Sequence, residues 1–150
     1  MKIRDAGEAL YIACEMEKRA VRLYERALAV FGDGACQAAI RAILSEERIH
    51  LERFAAMGTQ TPGFERAQLL AAQASQVLFS GGLVEAQRKG AFDSIAQLYA
   101  YAAEEEAGAV ERYGQFAAQL TGEAAAAFAA IQAEEMQHLA QFNELKKNPS

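Results

Sequence analysis

Paired cysteines, proline and basic clusters are all scarce in this chain of 150 residues, and each shortage closes off a class of protein. Its two cysteines, Cys14 and Cys36, stand apart with no Cys-x-x-Cys motif. They read as small core or boundary residues instead of ligands, and the expected setting is reduced and cytoplasmic. There are two prolines and few runs of Val, Ile or Thr, against many Ala, Leu, Glu, Gln and Arg. That balance favours helix over strand. The formal net charge is -5, and no basic run exceeds Lys146-Lys147, which argues against a nucleic-acid partner. No uninterrupted apolar stretch follows the N-terminal Met-Lys-Ile-Arg-Asp, so no signal peptide is expected. The most apolar stretch, residues 67–84, is broken by Gln68, Gln73, Gln76 and the Gly81-Gly82 pair, so no membrane partner is expected either. The length suits one domain, residues 1–150, with a full core.

What is present is long helical periodicity, punctuated by breakers. Gly32-Asp33-Gly34, the stretch 58–63 with Thr61-Pro62, Gly81-Gly82 with Gly90, and Thr121-Gly122 divide the chain. Between them the pattern predicts four long helices over about 5–31, 35–57, 92–120 and 123–146, with a shorter one over 64–80. Asp33, Asp93 and Thr121 are the expected N-caps. The short first and last turns make each flanking pair a hairpin. The long middle connection can cross the bundle and leave the second and third long helices parallel. The expected fold is therefore all-α, an antiparallel four-helix bundle with one long crossover. The alternative is a five-helix array with no special centre.

The two halves repeat each other. Glu17 and Glu106 are offset by 89 residues, as are Tyr24 and Tyr113; Glu47 and Glu135 are offset by 88, as are His50 and His138. This pattern indicates an internal duplication with a pseudo-two-fold axis. Glu17 interrupts the apolar stripe Ala6, Leu10, Ala13, Ala20, Tyr24, Leu28, and Glu106 interrupts its counterpart Tyr99, Ala102, Ala109, Tyr113. A buried carboxylate alone is costly and tends to protonate, and a metal ion removes that difficulty. Both histidines have Glu three positions earlier, a spacing that brings the two side chains to one helix face. The four acids lie 14 or 15 residues from their turns. At a rise of about 1.5 Å per residue, they fall in one layer roughly 22 Å from the turns. Glu17, Glu47, His50, Glu106, Glu135 and His138 are therefore the candidate metal ligands and catalytic residues. The bland alternative makes them surface charges on a metal-free helical interaction module.

Within the run Glu104-Glu105-Glu106 the choice is open on spacing: Glu105 preserves the 30-residue interval to the next acid, whereas Glu106 preserves the tyrosine interval and the apolar stripe. Glu106 is preferred. Glu46 and Glu134 precede the motif acids and should point about a quarter-turn away; they are expected to be solvated or to support the ligands. Tyr24 and Tyr113, two turns from the acids, are expected as core residues, hydrogen-bond donors to the ligands or electron donors. Phe54, Phe116, Phe128 and Phe142 are expected in the core.

One Glu from each of two helices and Glu-x-x-His from each of the other two is the ligand pattern of di-iron carboxylate bundles. With Glu17-Lys-Arg-Ala-Val-Arg-Leu-Tyr24 and Ser45-Glu-Glu-Arg-Ile-His50-Leu-Glu-Arg-Phe54, the chain resembles the rubrerythrin branch of the ferritin-like superfamily over nearly its whole length. The resemblance implies two iron ions that react with hydrogen peroxide or oxygen, with electrons from a rubredoxin-type donor. No rubredoxin domain precedes Ser150, so that donor is expected to be a separate protein. Rubrerythrins commonly carry an extra carboxylate one turn after the third-helix ligand, where this chain has Ala109. The six-ligand set is also similar to that of bacterioferritin, but Arg48 stands where that family has its haem-binding methionine. No fifth helix follows Leu145, as one does in cage ferritins. The expected activity is an oxidoreductase that reduces peroxide or oxygen; the alternative is a ferroxidase of the iron-storage type. Manganese suits the same ligands. The amphipathic stretch 64–80 predicts a homodimer.

Overall fold

The computed structural model describes residues 2–32, 34, 37–78 and 82–149. Asp33, Cys36 and Gly81 lie outside them. The described residues form six helices and no strand: α1 (Ala6–Phe31), α2 (Ala38–Gly58), α3 (Phe64–Leu78), α4 (Gly82–Arg88), α5 (Ile95–Gln119) and α6 (Gly122–Lys147). No helix among them is long and apolar enough to cross a membrane. α1 lies along α2 and α5 along α6 over most of their lengths, while α3 and α4 pack against α1.

Local chemistry sets the helix ends. Asp5 caps α1 by accepting from the Glu8 N–H at 2.8 Å, and its other oxygen meets Arg66 of α3. The start of α1 is pressed against the end of the α2–α3 connection. A Cβ on Gly7 would come within 2.2 Å of the Phe64 backbone nitrogen, so only glycine fits there. Thr121 occupies the N-cap of α6, with no side-chain capping bond. The expected cap at Asp93 is displaced by one residue. Ser94, in extended conformation, accepts from the Gln97 N–H at 3.1 Å, and Asp93 belongs to the preceding turn.

The short α4 lies in a stretch expected only as a breaker region. It ends in a paired motif: Ala91 N–H bonds to Ala86 O and Gly90 N–H to Gln87 O, with Gly90 at φ +82°. This closure tucks the fully buried Ala86 and Ala91 into the core.

The apolar core is divided in two. One cluster contains Leu23, Tyr24, Ile43, Leu98, Tyr99 and Phe142; the other contains Leu10, Ala13, Phe54, Tyr113, Phe116 and Phe128. On each of the four long helices the residues of the two clusters are separated in sequence by Glu17, by Glu47 and His50, by Glu106, or by Glu135 and His138. The phenylalanines expected in the core are all fully buried. A charged layer thus interrupts an otherwise continuous helical bundle core, and such a layer needs compensation to be tolerated.

Candidate metal centre

The six residues singled out by the sequence converge. Glu17, Glu47, His50, Glu106, Glu135 and His138 are each no more than 2% exposed, and they are the buried charged or polar side chains of the described core. They form two groups, Glu17–Glu47–His50–Glu135 and Glu47–Glu106–Glu135–His138. In each group one donor atom per residue lies within 4.8 Å of all the others. Glu47 and Glu135 belong to both groups. Each Glu-x-x-His pair follows the helical period, so its acid and imidazole leave one helix on the same face.

These residues fit cations. Glu17 Oε2, Glu47 Oε1, His50 Nδ1, Glu106 Oε2, Glu135 Oε1 and His138 Nδ1 are buried with no hydrogen-bond partner. Native interiors leave only a few such atoms unpaired, scattered and at about 1–3 kcal/mol each, whereas here six belong to the two adjoining groups. His50 Nδ1 is 2.9 Å from Glu135 Oε1, 3.5 Å from Glu47 Oε1 and 3.6 Å from Glu17 Oε1. His138 Nδ1 is 2.9 Å from Glu47 Oε1, 3.6 Å from Glu135 Oε1 and 3.8 Å from Glu106 Oε2. These are charge approaches without hydrogen-bond direction. Two ligands about 2.1 Å from one ion are roughly 3.0–3.4 Å apart at right-angled to tetrahedral geometry, and the observed separations of 2.9–3.8 Å fall on either side of that range.

A second set of contacts orients the first, and it crosses between the halves. Tyr24 of α1 donates to Glu106 Oε1 at 2.6 Å, and Tyr113 of α5 donates to Glu17 Oε1 at 2.9 Å. Each bond occupies one carboxylate oxygen and leaves the other facing the layer. His50 Nε2 lies 2.8 Å from Glu134 Oε2, and His138 Nε2 meets Glu46 Oε2. A carboxylate on Nε2 holds the proton there and presents Nδ1 as a bare donor. Glu46 and Glu134 are about half exposed and each engages an imidazole, so they combine the two roles expected of them, solvation and support of the ligands. The signal lay in the duplication, for they too are offset by 88 residues. The phenol rings are fixed in turn: Tyr24 stacks on Phe142 and Tyr113 tilts against Phe54, with centroids 5.6 and 5.4 Å apart.

Within the glutamate run, Glu106 turns into the layer. Glu105 stays at the surface, where it meets Arg19 at 3.2 Å. Cys14 is buried and remote in role, its thiol pushed up to about 11 by burial.

Without cations, the layer holds protons. Burial pushes Glu47 up to about 7 and Glu106 up to about 8, although neighbouring imidazoles pull both down. Burial raises Glu17 and Glu135 as well. Burial opposes charging of His138, but Glu106 and Glu47 outweigh it and push that imidazole up to about 11; His50 rises for the same reason beside Glu135 and Glu17. Burial, reinforced by nearby carboxylates, puts Tyr24 and Tyr113 well above the ordinary phenol range. Cations entering such a layer displace its protons.

Comparisons with family models, with curated proteins and with solved structures find no significant match to this chain. The geometry of the layer therefore carries the functional reading.

Proposed function

We propose that this chain is a non-haem di-iron oxidoreductase of the rubrerythrin type, within the ferritin-like superfamily. It reduces hydrogen peroxide or oxygen with electrons from a separate, rubredoxin-type donor protein. The observation that carries the reading is the sharing of Glu47 and Glu135 between two buried groups, each completed by one further Glu and one His. Shared carboxylates suit two cations held close together, the arrangement in which metals clamp both ends of a reacting bond. The order of the two core clusters along the helices supports a ferritin-like topology. It is the same in α1 and α6 and reversed in α2 and α5. That order fits antiparallel α1–α2 and α5–α6 pairs joined by a long crossover.

When bound, a pair of ferrous ions supplies the two electrons that O–O cleavage requires. The chain's own residues prepare the place. Glu47 and Glu135, which belong to both groups, would serve both cations, and Glu17 and Glu106 one each. His50 and His138 offer Nδ1 because Glu134 and Glu46 engage Nε2. Tyr24 and Tyr113 donate to Glu106 and Glu17 and so orient those carboxylates. A reduced, cytoplasmic setting belongs to the same reading, supported by the free buried thiol of Cys14. So does a homodimer, supported by Leu69 and Leu70, which α3 leaves exposed.

Anaerobic reconstitution with ferrous ion followed by stopped-flow mixing with hydrogen peroxide tests the reaction. Rapid oxidation of the bound iron is expected, and its absence overturns the oxidoreductase reading. Light scattering separates the alternative built on the same six residues. A dimer is expected here, whereas a large hollow oligomer indicates ferroxidase-linked storage.

A further inference from the structure

The two sides of the charged layer differ in access. On the α2–α6 side the His50 and His138 rings stack with centroids 5.9 Å apart, and their outer nitrogens are taken by Glu134 and Glu46. On the α1–α5 side a cavity of about 260 Å³ reaches the layer, floored by Glu17, Glu47, Glu106 and Glu135. Its walls include Met16, Ala20, Leu23 and Ala109. For scale, a water occupies about 30 Å³ of liquid, and an apolar cavity of about 150 Å³ takes up benzene. Cations held at the floor would take up part of this space, and the rest extends past Met16, Ala20 and Ala109.

The internal duplication is broken at this cavity. The 89-residue offset pairs Arg19 with Gly108 and Met16 with Glu105. Arg19 and Glu105 meet at 3.2 Å, and the Arg19 guanidinium also reaches Glu85 of α4 and the Tyr101 hydroxyl. The equivalent positions, Gly108 and Met16, carry no such latch. A Cβ added to Gly108 meets nothing within 4 Å. The lining is therefore unsymmetrical: Arg19 is tied to Glu105, Glu85 and Tyr101, while Met16, Ala20 and Ala109 supply apolar wall, with Glu15 and Arg112 as further charged members.

We propose that this cavity binds an organic hydroperoxide, with its alkyl or aryl group against Met16, Ala20 and Ala109 and its O–O group at the carboxylate floor. The proposal rests on the peroxide-reducing reading above and names its substrate class. The balance is that of a two-electron reduction. The O–O bond breaks, two electrons and two protons are taken up, and an alcohol and water leave. An iron–thiolate donor protein would supply the two electrons one at a time, and solvent the two protons.

The binding test uses cumyl alcohol, the inert product of cumene hydroperoxide. It is titrated into the full chain loaded with diamagnetic zinc and labelled with 13C at its methionine methyls. The Met16 methyl resonance is expected to move, while those of Met57 and Met136 stay. Gly108 lines the cavity and a Cβ there meets nothing within 4 Å, so Gly108→Leu adds apolar bulk to the lining without a clash at Cβ. It is expected to abolish the Met16 shift. In iron-loaded protein it is also expected to lower the ratio of kcat/KM for cumene hydroperoxide to that for hydrogen peroxide by about tenfold or more. A chain that reduces hydrogen peroxide while Met16 stays unmoved overturns the pocket and leaves the oxidoreductase reading standing. So does a Met16 shift unchanged by Gly108→Leu. A chain that binds cumyl alcohol but consumes neither peroxide overturns the oxidoreductase reading and, with it, hydroperoxide as the ligand.

Discussion

The first half of the chain, α1 with α2, and the second, α5 with α6, agree closely at the charged layer and part company around it. Each half contributes Glu, Tyr, Glu and His at matching offsets, and each tyrosine and each supporting glutamate reaches across to the other half. At the cavity the correspondence fails, with Arg19 opposite Gly108 and Met16 opposite Glu105. A donor set for two like cations can be symmetric because both positions ask for the same chemistry. A pocket for one substrate has no such constraint. On the proposed reading, the matching positions are those that would hold the ions and the unmatched ones those that would admit a substrate.

The largest expected effect comes from the residues common to both groups. Glu47→Gln and Glu135→Gln should each abolish binding of both metals, whereas Glu17→Gln and Glu106→Gln should each remove one. Metal analysis of purified variants checks this, and equal losses from all four would end the distinction between shared and separate ligands. Next come the cross-half supports. Glu46→Gln and Glu134→Gln should weaken metal affinity by about 10–100-fold, and equally, because each holds one imidazole in the same way. Calorimetric titration that finds one variant unaffected would show that the halves differ at the layer as well as around it.

A smaller effect is expected with pH. Glu47, Glu106 and His138 have folded-state values raised to about 7, 8 and 11. A raised group lends stability that is complete below its unfolded value and is lost as pH climbs through its folded value. The metal-free chain should therefore lose thermal stability steadily from about pH 5 towards pH 11. The metal-loaded chain, whose ligands are already deprotonated, should lose much less. Parallel melting curves for the two forms would contradict the assignment of these protons to the layer. The smallest effect tests the broken symmetry. Gly108→Ala should stabilise the chain by up to about 1 kcal/mol, since a helical glycine in open space gains from a side chain. Arg19→Ala should change stability by no more than about 1 kcal/mol, because its ion pairs are part-exposed. Denaturant unfolding of both measures this.

Much of the candidate site was legible in the sequence because its signals are local. Glu-x-x-His depends only on the pitch of one helix, and the apolar stripes around Glu17 and Glu106 depend only on the same period. The duplication added a second copy of each signal, which is why all six residues were found. Hydrophobic periodicity likewise gave the four long helices and the shorter α3. The short α4 escaped because glycines flank it, and its closure at Gly90 became visible only as backbone geometry. The Asp93 cap was displaced by one residue because two adjacent candidates, Asp93 and Ser94, both suit the position.

What the sequence determined by itself, then, is an all-helical chain whose buried faces each carry a carboxylate or a Glu–His pair at a common height. What the tertiary structure decided is how those faces meet. It turned Glu106 inward and left Glu105 with Arg19, made Glu47 and Glu135 common to two groups, set Glu46 and Glu134 on the histidines of the opposite half, and opened a cavity on the α1–α5 side. These outcomes depend on the rotation and approach of whole helices, fixed by the packing of two apolar clusters on either side of the layer, and no single helix encodes them.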